Sequence, residues 1–102
     1  MVQSKQALFR LLRSHEEEIR AFGVKRLGLF GSFFRGTPGP ESDVDLLVEF
    51  ERGQKTFDHF IQLSFLLEGL CKRSVELVTP ESLSPYLKPH ITRNIEYVPF
   101  GS

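Results

Sequence analysis

Leu8, Leu11, Leu12, Ile19 and Phe22, with His15 among them, recur at the three- and four-residue spacing of a helix. Ser4 stands where an N-cap oxygen is needed and Gly23 where a helix stops, so the pattern predicts one amphipathic helix over roughly residues 5–22. Glu16, Glu17, Glu18 and Arg20 form its solvated face. The period then changes. VKRLGLF at 24–30 has the length and composition of a strand, and it runs directly into Gly31-Ser32, placing that pair at a strand end. A short turn or helical start through Phe33, Phe34 and Arg35 closes at Gly36, and Thr37 to Glu41 is a loop rich in proline and glycine. A second strand is expected over 43–50, ended by the polar Glu51-Arg52-Gly53-Gln54 turn.

Residues 57–72 make a run too long for a strand, and it ends in basic residues that suit a helix C-terminus. Phe57, Phe60, Ile61, Leu63, Phe65, Leu66, Leu67 and Leu70 cover more than one face of that helix, which is therefore central to the core or partly an interface. SVELVT at 74–79 reads as a third strand stopped by Pro80, followed by a short helix over 86–93 and a short strand over 95–100. The connection from Phe30 to Asp43 is too short to need a crossover helix. The order of elements thus predicts an α+β (mixed α/β) fold, a small mixed sheet with helices packed against it.

A chain of 102 residues, 40% hydrophobic and with ten Phe, can build one compact core and little more. Residues 1–102 are expected to form a single domain, with any second substrate bringing its own binding surface. Thirteen basic side chains balance thirteen acidic ones, which argues against a dedicated nucleic-acid binder. Cys71 has no partner for an internal disulfide and reads as a buried side chain in a reducing compartment. No apolar run approaches a membrane span and MVQSKQALFR lacks the apolar stretch of a signal peptide, so a cytoplasmic location is expected. His15, His59 and His90 show no ligand spacing, and Tyr86 and Tyr97 read as ordinary, partly buried tyrosines.

The chemistry is concentrated between Gly31 and Val48. On a strand, Asp43 and Asp45 project to one side while Val44, Leu46 and Val48 point to the other. Two such carboxylates repel unless a cation lies between them, and hard oxygen ligands suit Mg²⁺ or Mn²⁺, which complete their shells with water and substrate phosphate. Alone, Asp-x-Asp reads more readily as two solvated turn residues. The upstream residues change that reading: backbone N–H groups at a glycine-rich turn favour anions, Gly31 permits close approach of a phosphate, Ser32 can donate its hydroxyl, and Arg35 can fork onto phosphate oxygens. Glu76 is the candidate third acid. If its strand lies beside 43–50 it faces the same cavity, where it would ligate metal or take a proton from an incoming hydroxyl; otherwise it is an exposed strand residue.

Gly31-Ser32-x-x-Arg35-Gly36 followed by Ser42-Asp43-x-Asp45-Leu46-Leu47-Val48 resembles the signature of the minimal nucleotidyltransferase family, small members of the DNA-polymerase-β-like superfamily. The likeness extends through Val75-Glu76-Leu77-Val78-Thr79-Pro80-Glu81-Ser82-Leu83 and the closing Ile91 to Val98. It implies that Asp43, Asp45 and Glu76 bind Mg²⁺, as two ions, and carry catalysis, and that Gly31, Ser32, Arg35 and Ser42 hold the nucleotide, with ATP as donor. It also implies a partner, a HEPN-domain toxin whose hydroxyl receives AMP, with this chain as antitoxin. The apolar helix around Phe57 to Leu70, or the Phe33-Phe34 pair, would supply the docking surface. Glu76 departs from the Asp found in many relatives, and its extra methylene shifts the carboxylate by about a bond length in a site that wants near-ideal geometry. That departure motivates an alternative, a weakly catalytic binding module that neutralises its partner by occlusion. Transfer to RNA or a small molecule is a third class, disfavoured by the absence of a basic surplus.

Overall fold

A computed structural model describes residues 1–101. Ser4 caps α1 (Lys5–Ser14), its hydroxyl accepting the Ala7 N–H at 3.1 Å. The helix expected to run to residue 22 breaks at His15 (φ −115°, ψ 24°) and resumes as α2 (Glu16–Arg20). The break sends α1 onto α4 (Phe57–Cys71) and α2 onto β1 (Val24–Phe30). A periodicity in buried positions cannot register such a change of direction, because Leu8, Leu12 and Ile19 are fully buried on both sides of it.

The sheet has the order β3-β2-β1-β4, with β2 (Val44–Phe50), β3 (Val75–Val78) and β4 (Glu96–Tyr97). β1 pairs antiparallel with both neighbours, whereas α4 carries the chain across so that β3 runs parallel to β2. The sheet is therefore mixed, as the short connection between the first two strands and the long one after β2 require. β4 is shorter than the expected 95–100. Val98 N–H still reaches Leu27 O at 2.9 Å, but Pro99 has no N–H to continue the ladder.

One face of the sheet is dry. Leu27, Leu29, Val44, Leu46 and Val48 meet Leu8, Leu12, Ile19, Leu63 and Leu67 there with no exposed surface, apart from a trace at most. Phe33 is fully buried in the same core and Phe34 packs against it, so Phe33 is no docking residue. Cys71 is buried too, and burial pushes its thiol up to about 11, which suits an inert core side chain. α4 is central to the core and also leaves apolar surface exposed. Leu63, Leu67 and Cys71 fill the core, while Phe57 and Phe65 stand 78% and 67% exposed.

The opposite face carries the period-2 partners of the core residues, and the C-terminal segment lies partly over it. A methyl on Gly28 would overlap Ile95 Cδ1 and come within 3.0 Å of Tyr97 Cε1, so only glycine lets that segment close on β1. Arg26 stacks on Tyr97 at 3.9 Å and pairs with Glu49 at 2.9 Å, tying the far end of this face together. A short 3₁₀ turn (Pro80–Ser82), not anticipated, leads towards α5 (Leu87–Arg93). Tyr97 is half-buried as expected, but Tyr86 is 91% exposed because it stands just outside α5, at its N-cap. Among the described residues no helix is long and apolar enough to cross a membrane.

Candidate functional site

β1 ends at Phe30, which is in register with Asp45, and the chain turns at once into α3 (Gly31–Arg35). The turn needs a left-handed residue, and Gly31 supplies it with φ +76°. Space demands glycine as well: a Cβ there would overlap Asp45 Oδ2 and fall 2.8 Å from its Cγ. On the far side of Asp45, the parallel register of β3 places Glu76 directly opposite. Three adjacent strands thus bring a glycine turn and two carboxylates into one line.

The charge in that line is unbalanced. Burial, then the negative charge of Glu76 and a proton shared with its carboxyl, then the charge of Asp43, push Asp45 up to about 6, with the Arg35 guanidinium opposing. Asp45 is half-buried, whereas Asp43, Arg35 and Glu76 are exposed. The residues singled out in the sequence are therefore those that act on Asp45 electrostatically. Glu76 stands opposite Asp45 across the parallel pair of β2 and β3. Asp43, one residue before β2, acts through its charge, and among the described residues no three acidic, histidine or cysteine side chains converge as a metal cluster. The donor set consists of carboxylate oxygens with a shortage of positive charge. That chemistry fits a hard divalent cation which draws its remaining ligands from water and phosphate.

Ser32 lies half-buried in α3, where its carbonyl accepts the Thr37 N–H at 3.0 Å. Ser42 has a second task, since its hydroxyl accepts the Gly39 N–H at 2.7 Å and so shapes the loop that delivers Asp43. That loop is clamped by a residue whose importance the sequence does not display. Arg73 reads there as one of two basic residues ending a helix, but Lys72 leaves α4 in the left-handed region (φ 54°) and turns Arg73 inward. Its guanidinium donates to the carbonyls of Val2, Gly39, Pro40 and Ser42 at 2.6–3.2 Å and lies over the Phe33 ring at 5.1 Å. Arg73→Ala should cost about 2–3 kcal/mol, as expected for charge-assisted bonds to half-buried carbonyls. A chemical melt should show that loss, and faster proteolysis within 37–42 would accompany it.

A second feature escaped the sequence because it joins distant segments. Between α3 and α5 lies an open cavity of about 320 Å³, with Phe30, Gly31, Phe34 and Arg35 on one side and His90, Ile91 and Asn94 on the other.

Residues 12–98 match the family model of the nucleotidyltransferase domain. The chain belongs to the nucleotidyltransferase family. This nucleotidyltransferase is 39% identical over 89 residues to the protein adenylyltransferase MntA of Thermococcus cleftensis, covering 86% of this chain and 89% of that one. It is also similar to a minimal nucleotidyltransferase of solved structure, with a TM-score of 0.77 and 34% identity over 92% of this chain and 95% of the other. A more distant likeness, TM-score 0.63 at 18% identity over 91% and 73% of the two chains, is to a complex of a tri-AMPylated Shewanella oneidensis HEPN toxin with its MNT antitoxin. At that identity the likeness is one of fold. The solved relatives share the fold described above.

Proposed function

We propose that this nucleotidyltransferase transfers AMP from ATP to a hydroxyl of a HEPN-domain protein, acting as the antitoxin of that partner in the cytoplasm. The contact of Gly31 with Asp45, and the in-register pairing of Asp45 with Glu76, carry this reading. The names of its relatives support the choice of nucleotide and partner. They include a protein adenylyltransferase, an AMPylated HEPN toxin bound to its antitoxin, and a toxin–antitoxin pair with AMP-PNP.

In this mechanism the triphosphate lies on the Gly31–Ser32 turn, where backbone N–H groups and the Ser32 hydroxyl donate to its oxygens and Arg35 neutralises their charge. Asp43, Asp45 and Glu76 would hold Mg²⁺, as two ions; when bound, the metal supplies charge stabilisation for the oxygens of the transferring group. The acceptor oxygen forms a bond to the α-phosphorus in line as the bond to the bridging oxygen of pyrophosphate breaks. Glu76 completes the carboxylate set and accepts the hydroxyl proton. Ser42 serves the site by holding the loop before Asp43 and by facing the nucleotide.

The partner contact falls to α4. Phe57, Ile61 and Phe65 recur at four-residue spacing, and large exposed aromatics in line mark an interaction surface. β3 is an edge strand and packs against α4, so a partner gripping α4 can reach Glu76 and Asp45 across that edge. With α-labelled ATP and the HEPN partner, label should appear on the partner. Replacing Phe57 and Phe65 together by Ser should slow that transfer about thirtyfold, the effect of losing an aromatic anchor worth about 2 kcal/mol. Undiminished transfer by the double variant would place the docking surface elsewhere.

A further inference from the structure

We propose that the cavity between α3 and α5 receives the adenine base of the nucleotide, and that Asn94 and Ile91 select ATP over UTP. The inference rests on the nucleotidyl-transfer reading above and goes beyond it, because nothing in the Gly31–Asp45–Glu76 line distinguishes one base from another.

Size and lining are the first argument. At about 320 Å³ the cavity lies at the lower end of the range for small-molecule sites, roughly 300–1,000 Å³. Phe30, Phe34 and Ile91 give it apolar walls, which suit the flat faces of a heteroaromatic ring, and Arg35, assigned above to the phosphates, lines it as well. Continuity is the second. Gly31 lines the cavity and also abuts Asp45 Oδ2, so one residue belongs to both the proposed phosphate turn and the proposed base site. A nucleotide engaged at Asp45 has its base within reach of α5.

The third argument concerns the base edge. Asn94 lines the cavity, and its Nδ2 donates to the His90 carbonyl at 2.9 Å, which leaves the amide oxygen free to accept. Adenine offers an exocyclic amine to such an acceptor. The carbonyl that uracil presents at the corresponding edge would meet it oxygen to oxygen and gain no hydrogen bond there.

Calorimetric titration of the whole chain with ATP, UTP and inorganic tripolyphosphate, in Mg²⁺ and without acceptor, tests this. ATP should bind more tightly than UTP and tripolyphosphate. Asn94→Ala, at an exposed helix end, should lower ATP affinity about tenfold and leave tripolyphosphate affinity unchanged. Ile91→Phe, which fills the cavity, should likewise reduce the advantage of ATP over tripolyphosphate. Photolabelling of the unaltered chain with 8-azido-ATP should mark the 87–94 segment or Phe34, a readout that needs no variant to fold. Equal affinities for ATP and tripolyphosphate, an ATP advantage untouched by both substitutions, or label confined to other segments would overturn the base site while leaving the phosphate turn standing. Failure of both ATP and tripolyphosphate to bind would instead overturn the nucleotide reading, and the base site with it.

Discussion

Asp45→Asn is expected to abolish nucleotidyl transfer and, in the same protein, to raise stability above pH 6. The carboxyl of Asp45 is pushed from 3.8 up to about 6, so the folded chain holds that proton more tightly than the unfolded chain does. The sign follows directly. Below pH 3.8 both states are protonated and nothing is lost; as pH rises through about 6 the folded state must ionise a half-buried group facing Glu76 and Asp43, and stability falls. Asn carries no such charge. In chelator, the difference in stability between Asp45→Asn and the parent should grow from near zero at pH 4 to about 1–2 kcal/mol at pH 8, after allowance for solvent screening. For a domain of this size that is a rise of roughly 5–10 °C in melting temperature. Transfer from α-labelled ATP should fall by at least about a hundredfold, since several kcal/mol of charge stabilisation depend on this carboxylate. Equal melting curves at pH 8 would show that Asp45 is not held under electrostatic strain. Such a trade of stability for chemistry is common where like charges are gathered for function.

Gly31→Ala should damage both stability and transfer, and a matched control separates its two causes. Gly31 and Gly36 have nearly the same backbone angle, φ +76° and φ +78°. An alanine at either pays the left-handed penalty of about 1–2 kcal/mol. At Gly36 the added methyl would meet nothing within 4 Å, whereas at Gly31 it would drive into the Asp45 carboxylate. Gly36→Ala is therefore expected to lose about 1 kcal/mol and keep most of its transfer activity. Gly31→Ala should lose a further 1–2 kcal/mol and displace Asp45 from the turn, cutting transfer by about a hundredfold or more. Similar activity in the two variants would mean that the turn and the carboxylate do not work as one site.

The sequence made the strands legible because each feature of them is local. The alternation at 44–48, the glycine after Phe30 and the proline after Thr79 each set a boundary within a few residues. The pairing of Glu76 with Asp45 was legible only as a condition, because the register of two strands separated by α4 is a tertiary fact. The break at His15 left no trace in the hydrophobic period. Arg73 was hidden for a different reason. A basic residue after a helix usually serves the helix, and only the left-handed Lys72 turns this one toward Gly39, Pro40 and Ser42. The α3–α5 cavity joins residues sixty apart, beyond the reach of any spacing rule.

The central claim is that a Gly31–Asp45–Glu76 site places AMP on a partner's hydroxyl, and mass spectrometry tests it most directly. The HEPN-domain partner would be purified after co-expression with this chain, and again after co-expression with Asp45→Asn. The partner should gain the mass of one or more adenylyl groups on a hydroxyl side chain in the first preparation and none in the second. An unmodified partner recovered in a stable complex with the unaltered chain would contradict it, and would leave occlusion as the way this fold acts.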